Sequence, residues 1–77
     1  MYVRIVRSKK NMAMQETLYE CVSAHWYIDQ DPGILRLDSI LGHEGVEMML
    51  SGNEGETLTV YTMNNQGKTI DSRSFEF

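Results

Sequence analysis

Apolar and polar residues alternate with a period of two over much of this chain, which is the spacing that sends successive side chains to opposite faces of a β-strand. Over residues 2–7, Val3 and Ile5 share one face while Tyr2, Arg4 and Val6 share the other. Residues 34–41 repeat the pattern, Leu35, Leu37 and Leu41 against Ile34, Arg36, Asp38 and Ile40. In residues 46–50, Val46, Met48 and Leu50 point one way; in residues 57–63, Leu58 and Val60 point inward and Thr57, Thr59 and Tyr61 outward. A last strand is expected from Thr69 towards Phe77. Between these runs lie turn residues. Asp31-Pro32-Gly33 combines a preset φ with a glycine able to take positive φ, Gly42-His43-Glu44-Gly45 has hairpin length, residues 51–56 form a polar loop, and residues 64–68 make a second turn.

Residues 17–29 fit two patterns. As a strand, Leu18, Glu20, Val22, Ala24 and Trp26 alternate with Tyr19, Cys21, Ser23, His25 and Tyr27. As a helix, Met14, Leu18, Cys21, Val22, His25 and Trp26 form one amphipathic stripe with Asn11 as its cap. The aromatic and β-branched content favours the strand. The chain is therefore expected to be all-β, a small antiparallel barrel or sandwich of about five to six strands forming one domain over residues 1–77. The alternative is an α+β fold with a helix at residues 12–28 packed on an antiparallel sheet.

Length limits what such a fold can bury. A 77-residue chain with 42% apolar residues removes only about 60% of its unfolded surface from water, so its core is thin. Cys21 has no partner for a disulfide within the chain. There is no apolar run near the roughly 20 residues of a membrane span, and residues 1–7 do not form the apolar centre of a signal peptide. These features predict a cytoplasmic, disulfide-free protein with no membrane association.

Charge is unevenly placed. Arg4, Arg7, Lys9 and Lys10 give the first ten residues +4, and the remaining three basic residues against eleven acidic ones give −8, for a net −4. Net acidity disfavours nucleic acid as a partner, because that affinity depends on neutralising several phosphates. The basic residues are expected to pair with acids on neighbouring strands. A second use is contact with a phosphate-bearing small molecule by Arg4, Arg7 and Lys9, with Trp26, Tyr27 or Tyr61 stacking a base.

Several chemistries fail on spacing. Gly67-Lys68-Thr69 resembles the end of a phosphate-binding loop, but the leading glycine position is Thr62 and a strand follows where a helix is needed. Asp29-x-Asp31 opens like a calcium loop, yet its closing position is Ile40. One cysteine and two distant histidines do not make a zinc site, so no metal or cofactor is expected. Cys21 and His25 would lie about 6 Å apart on a helix but roughly 13 Å apart along a strand, and no third residue orients them. No catalytic residues are expected.

Surface remains. Large apolar groups on both faces of several strands exceed what one small barrel can cover, and six methionines add adaptable contact area. Tyr19, Tyr27, Met48, Met49, Phe75 and Phe77 are the expected interface residues, the two phenylalanines serving alternatively as a plug of the core. The function this favours is a non-enzymatic protein-binding module that self-associates as a homo-oligomer. Its compact, acidic character matches small phage or mobile-element proteins that inhibit a host protein. The alternative is a small-ligand or nucleotide binder.

Overall fold

The computed structural model describes residues 1–38 and 45–77; the expected strand end at Ile40 and Leu41 and the turn around His43 lie outside them. The chain is all-β. The strands are β1 (Tyr2–Lys9), β2 (Gln15–Glu20), β3 (Ser23–Tyr27), β4 (Gly33–Asp38), β5 (Val46–Leu50), β6 (Glu56–Met63) and β7 (Thr69–Glu76). Among the described residues there is no helix, so the helical alternative for residues 12–28 is set aside, and none that is long and apolar enough to cross a membrane.

Two antiparallel sheets result, one in the order β2-β1-β6-β7 and one in the order β3-β4-β5. The connectivity is not a single meander, since the chain leaves β5 for the other sheet and lays β6 against β1. Val3, Leu58 and Val60 from the larger sheet meet Leu35, Leu37 and Leu50 from the smaller one in a common core. Val3, Val60, Leu35 and Leu37 are less than 2% exposed, and the core is completed at its margins by Ile5, Tyr19, Trp26, Met48, Phe75 and Phe77. The alternation read from β1, β4, β5 and β6 has the facing that this core requires.

The strand expected over residues 17–29 divides into two, which raises the strand number. Cys21 exchanges backbone hydrogen bonds with Met1 at the end of β2, and the next residue, Val22, donates to the Asp38 carbonyl at the start of the β3–β4 pairing. The chain thus passes from one sheet to the other at Cys21-Val22, and its facing shifts there: Tyr19 and Cys21 point inward, then Ala24 and Trp26. Trp26 packs on Phe75 of β7, with ring centroids 6.3 Å apart. Between Val22 and Trp26 the chain advances about 13 Å, close to the roughly 14 Å that separates β2 from β7 across the larger sheet. The chain thus changes sheets at a corner, as strands of sandwiches do, and the far end of β3 reaches β7 through Trp26.

Gly33 does not use a positive φ, as the turn reading expected. It opens β4, and its lack of a side chain matters for space, since a Cβ there would meet Leu50 Cδ1 and the Tyr27 carbonyl oxygen at 3.3 Å each. Gly67 does adopt φ 82° in the β6–β7 hairpin, where the Asn64 side chain accepts from the amides of Gln66 and Lys68. That hairpin accounts for the Gly67-Lys68 pair without a phosphate.

Candidate interaction surface on the three-stranded sheet

Antiparallel register places directly opposed residues on the same face of a sheet. On the outer face of β3-β4-β5, register makes three rows: Tyr27, Ile34 and Met49; then His25, Arg36 and Glu47; then Ser23 and Asp38. The first row is apolar. Tyr27 is 49% exposed and Met49 62%, and Ile28 beside them is 50% exposed.

The other rows are tied together by charge. Arg36 reaches Asp38 Oδ1 at 2.8 Å through Nε and Glu47 Oε1 at 3.1 Å through Nη1. The Arg36 hydrogen bond holds the Asp38 carboxyl below the usual carboxylate value, against a smaller opposing effect of desolvation. Ser23 Oγ donates to Asp38 Oδ2 at 3.3 Å and lies 3.3 Å from His25 Nε2, which itself sits 3.0 Å from Asp38 Oδ2. A serine, a histidine and an aspartate thus meet, but not as a proton relay. In a relay the imidazole uses one nitrogen for the carboxylate and the other for the hydroxyl. Here Nε2 faces both and Arg36 already occupies Asp38. The arrangement orders a charged surface.

Cys21 is 3% exposed, whereas His25 lies on the outer face of the smaller sheet. Burial pushes the Cys21 thiol up, the reverse of what a nucleophile needs, although the N-terminal ammonium acts in the opposite direction. Among the described residues no group of three His, Cys, Asp or Glu side chains is arranged to hold a metal.

The expected ligand residues are dispersed. Arg4 and Tyr61 share the outer face of the larger sheet, the guanidinium 5.2 Å from the ring centroid, and Arg4 is held charged by Glu16 at 2.6 Å. That ion pair joins β1 to β2, and among the described residues Arg4 alone of the four basic residues of the first segment is paired with an acid as expected. Arg7 points to the inner side and donates to the Ser51 carbonyl at 2.7 Å. Trp26 is also on the inner side, with Arg73 over its ring at 4.6 Å, while Tyr27 faces outward on the other sheet. Arg7 and Lys9 do come together at a cleft of about 200 Å³, with Ser8, Met12, Gln15, Asn53 and Glu56. No protein-family model, curated protein or solved structure matches this chain.

The expected interface residues divide in two. Tyr19, Met48, Phe75 and Phe77 pack against the core, and Tyr27 and Met49 stand on the outer face with Ile34 between them. Phe77 is held by both of its backbone groups, donating to the Glu56 carbonyl and accepting from Gly55. The roles of Arg36, Glu47 and Arg73 were missed. Only register between distant segments brings Arg36 to Glu47 or Arg73 to Trp26.

Proposed function

We propose that this chain is a non-enzymatic protein-binding module that self-associates through its three-stranded sheet. The observation that carries the reading is the in-register apolar row Tyr27, Ile34 and Met49 on an outer face, bordered by the charged group around Arg36. An apolar centre with a polar margin is the usual composition of a protein interface.

Size supports it. The accessible surface is 5384 Å², against about 4,800 Å² for a compact monomer of this mass. The radius of gyration is 12.6 Å, against about 11.5 Å for the chain length. Both exceed the values of a compact monomer, as expected of a chain that leaves part of its burial to a partner. A phage or mobile-element inhibitor of this build would meet a host surface both basic and apolar, given the −8 on residues 11–77, and would work in the cytoplasm, where Cys21 stays reduced.

Sedimentation velocity over a range from low micromolar to near millimolar tests the reading. Self-association that weakens about tenfold or more in Met49→Ser, the member of the row on the edge strand β5, supports it. A monomer at every concentration refutes it.

The cleft at Arg7 and Lys9 favours a second reading, a small phosphate-bearing ligand. At about 200 Å³ it is smaller than the roughly 300–1,000 Å³ of typical small-molecule sites, so it suits a phosphoryl group and not a whole nucleotide. Thermal shift with inorganic phosphate and nucleoside monophosphates decides it; no shift at millimolar ligand removes it.

A further inference from the structure

We infer that the outer edge of β5 pairs antiparallel with β5 of a second copy of this chain, joining two three-stranded sheets into one of six strands about a two-fold axis at Met48. The inference rests on the proposal that the three-stranded sheet self-associates, and places the contact at the free edge of that sheet, beside Met49 of the apolar row.

Open strand edges pair with other strands unless something blunts them, and charge pointing into the sheet is an effective block. β7 carries such charge, with Asp71 and Arg73 on its inner face. β2 carries Glu16 and Glu20 in six residues. β3 has the Arg73 guanidinium laid over its inner-face Trp26. β5, Val46-Glu47-Met48-Met49-Leu50, has neither lysine nor proline, and its one charge, Glu47, faces outward and is paired with Arg36. Among the described residues no backbone hydrogen bond reaches β5 from outside the β4 pairing. Val46 and Met48 point to the core side yet stay only half-buried, so they retain apolar surface that a neighbouring strand would cover.

The pattern of faces selects both partner and register. Opposed residues in an antiparallel pair must share a face, so core-side Val46, Met48 and Leu50 must meet core-side residues. Another β5 supplies them in reverse order. Of the face-matched registers, three pair at least three residues of each strand: one centred on Glu47 sets two carboxylates against each other, one centred on Met49 drops Val46 and Glu47 from the pairing, and one centred on Met48 engages the whole strand. In that register Glu47 opposes the partner's Met49, Val46 opposes the partner's Leu50, and the two apolar rows of Tyr27, Ile34 and Met49 lie on one continuous outer face. An edge of five residues buries less than a standard interface, so the dimer belongs to the weak, transient class.

Disulfide trapping reads the register. Glu47→Cys and Met49→Cys are outward-facing changes that leave the core intact, and each protein is equilibrated alone and mixed in a glutathione buffer at a concentration where sedimentation shows dimer. The cross-linked species is expected in the mixture at roughly tenfold or more over either protein alone, because only opposed positions reach disulfide geometry. Cross-linking of Glu47→Cys or Met49→Cys with itself at the mixture's level overturns the register. Dimers with no cross-link overturn the edge contact and leave self-association through the sheet face standing. An absence of dimer overturns both.

Discussion

Leu35→Ala measures how much of the fold depends on a thin core. Leu35 lies in the central strand of the smaller sheet, opposed by Trp26 on β3 and Met48 on β5, and is 0% exposed. Removing a leucine side chain from such a site costs about 2–5 kcal/mol, the upper end where the neighbours do not close the gap. Here they are a tryptophan held between Phe75 and Arg73 and a methionine at a sheet edge. The methionine can move and the tryptophan is pinned, which argues for a middle value of about 3 kcal/mol. A chain of 77 residues has about 4–12 kcal/mol of stability in total, and each kcal/mol lowers Tm by about 4–8 °C. A fall of about 12–24 °C is therefore expected for Leu35→Ala by thermal and urea unfolding at low protein concentration. Met49→Ala, one strand away at 62% exposure, should stay within about 0.5 kcal/mol under the same conditions. Equal losses in the two variants, or a loss below about 1 kcal/mol for Leu35→Ala, would refute the facing of β4 and the core built on it.

Three further outcomes are expected. Cys21 should react with iodoacetamide at neutral pH more slowly than a free thiol, because its thiol is buried and pushed up, and reach the free rate in urea; faster labelling of the folded protein would contradict the burial. The Asp38 carboxyl is held by Arg36 below its ordinary value of 3.8, so its stabilising effect is present above that pH and lost as pH falls through the lower folded value. The drop in urea midpoint between pH 6 and pH 3 should accordingly be larger in the parent protein than in Asp38→Asn, and equal drops would remove Arg36–Asp38 as an acid-sensitive contact. Arg73→Ala should destabilise by about 0.5–2 kcal/mol and shift the emission of Trp26, the only tryptophan, towards longer wavelength; unchanged emission would mean the guanidinium does not cover the ring in solution.

Much of the fold was legible because the relevant signal is local. The facing of Val3 and Ile5, of Leu35 and Leu37, of Met48 and Leu50, and of Leu58 and Val60 follows from alternation within a single strand. Residues 17–29 resisted for a specific reason. Their alternation is broken at Cys21-Val22, where the chain changes sheets, and a half-step in phase makes a strand read partly like a helix. Leu18 shows the consequence: the strand pattern groups it with Trp26, but it is 58% exposed on the outer face of the larger sheet while Trp26 packs inside. A single period-two register across a sandwich corner assigns the residues on one side of it to the wrong face.

Surface function depends on a longer-range quantity. Tyr27, Ile34 and Met49 come from three strands, and each alone is an ordinary residue of a small domain, Tyr27 and Met49 exposed and Ile34 half-buried. Only the β3–β4 and β4–β5 registers set them in a line. The same holds for Arg36, whose contact with Asp38 is within one strand and whose contact with Glu47 is not. A slip of one residue between β4 and β5 would turn Met49 inward and Met48 outward, destroying the row and opening the core together. The core therefore fixes the interaction surface: burial of Leu35, Leu37 and Leu50 selects the register, and that register aligns Tyr27, Ile34 and Met49 on the opposite face of the sheet.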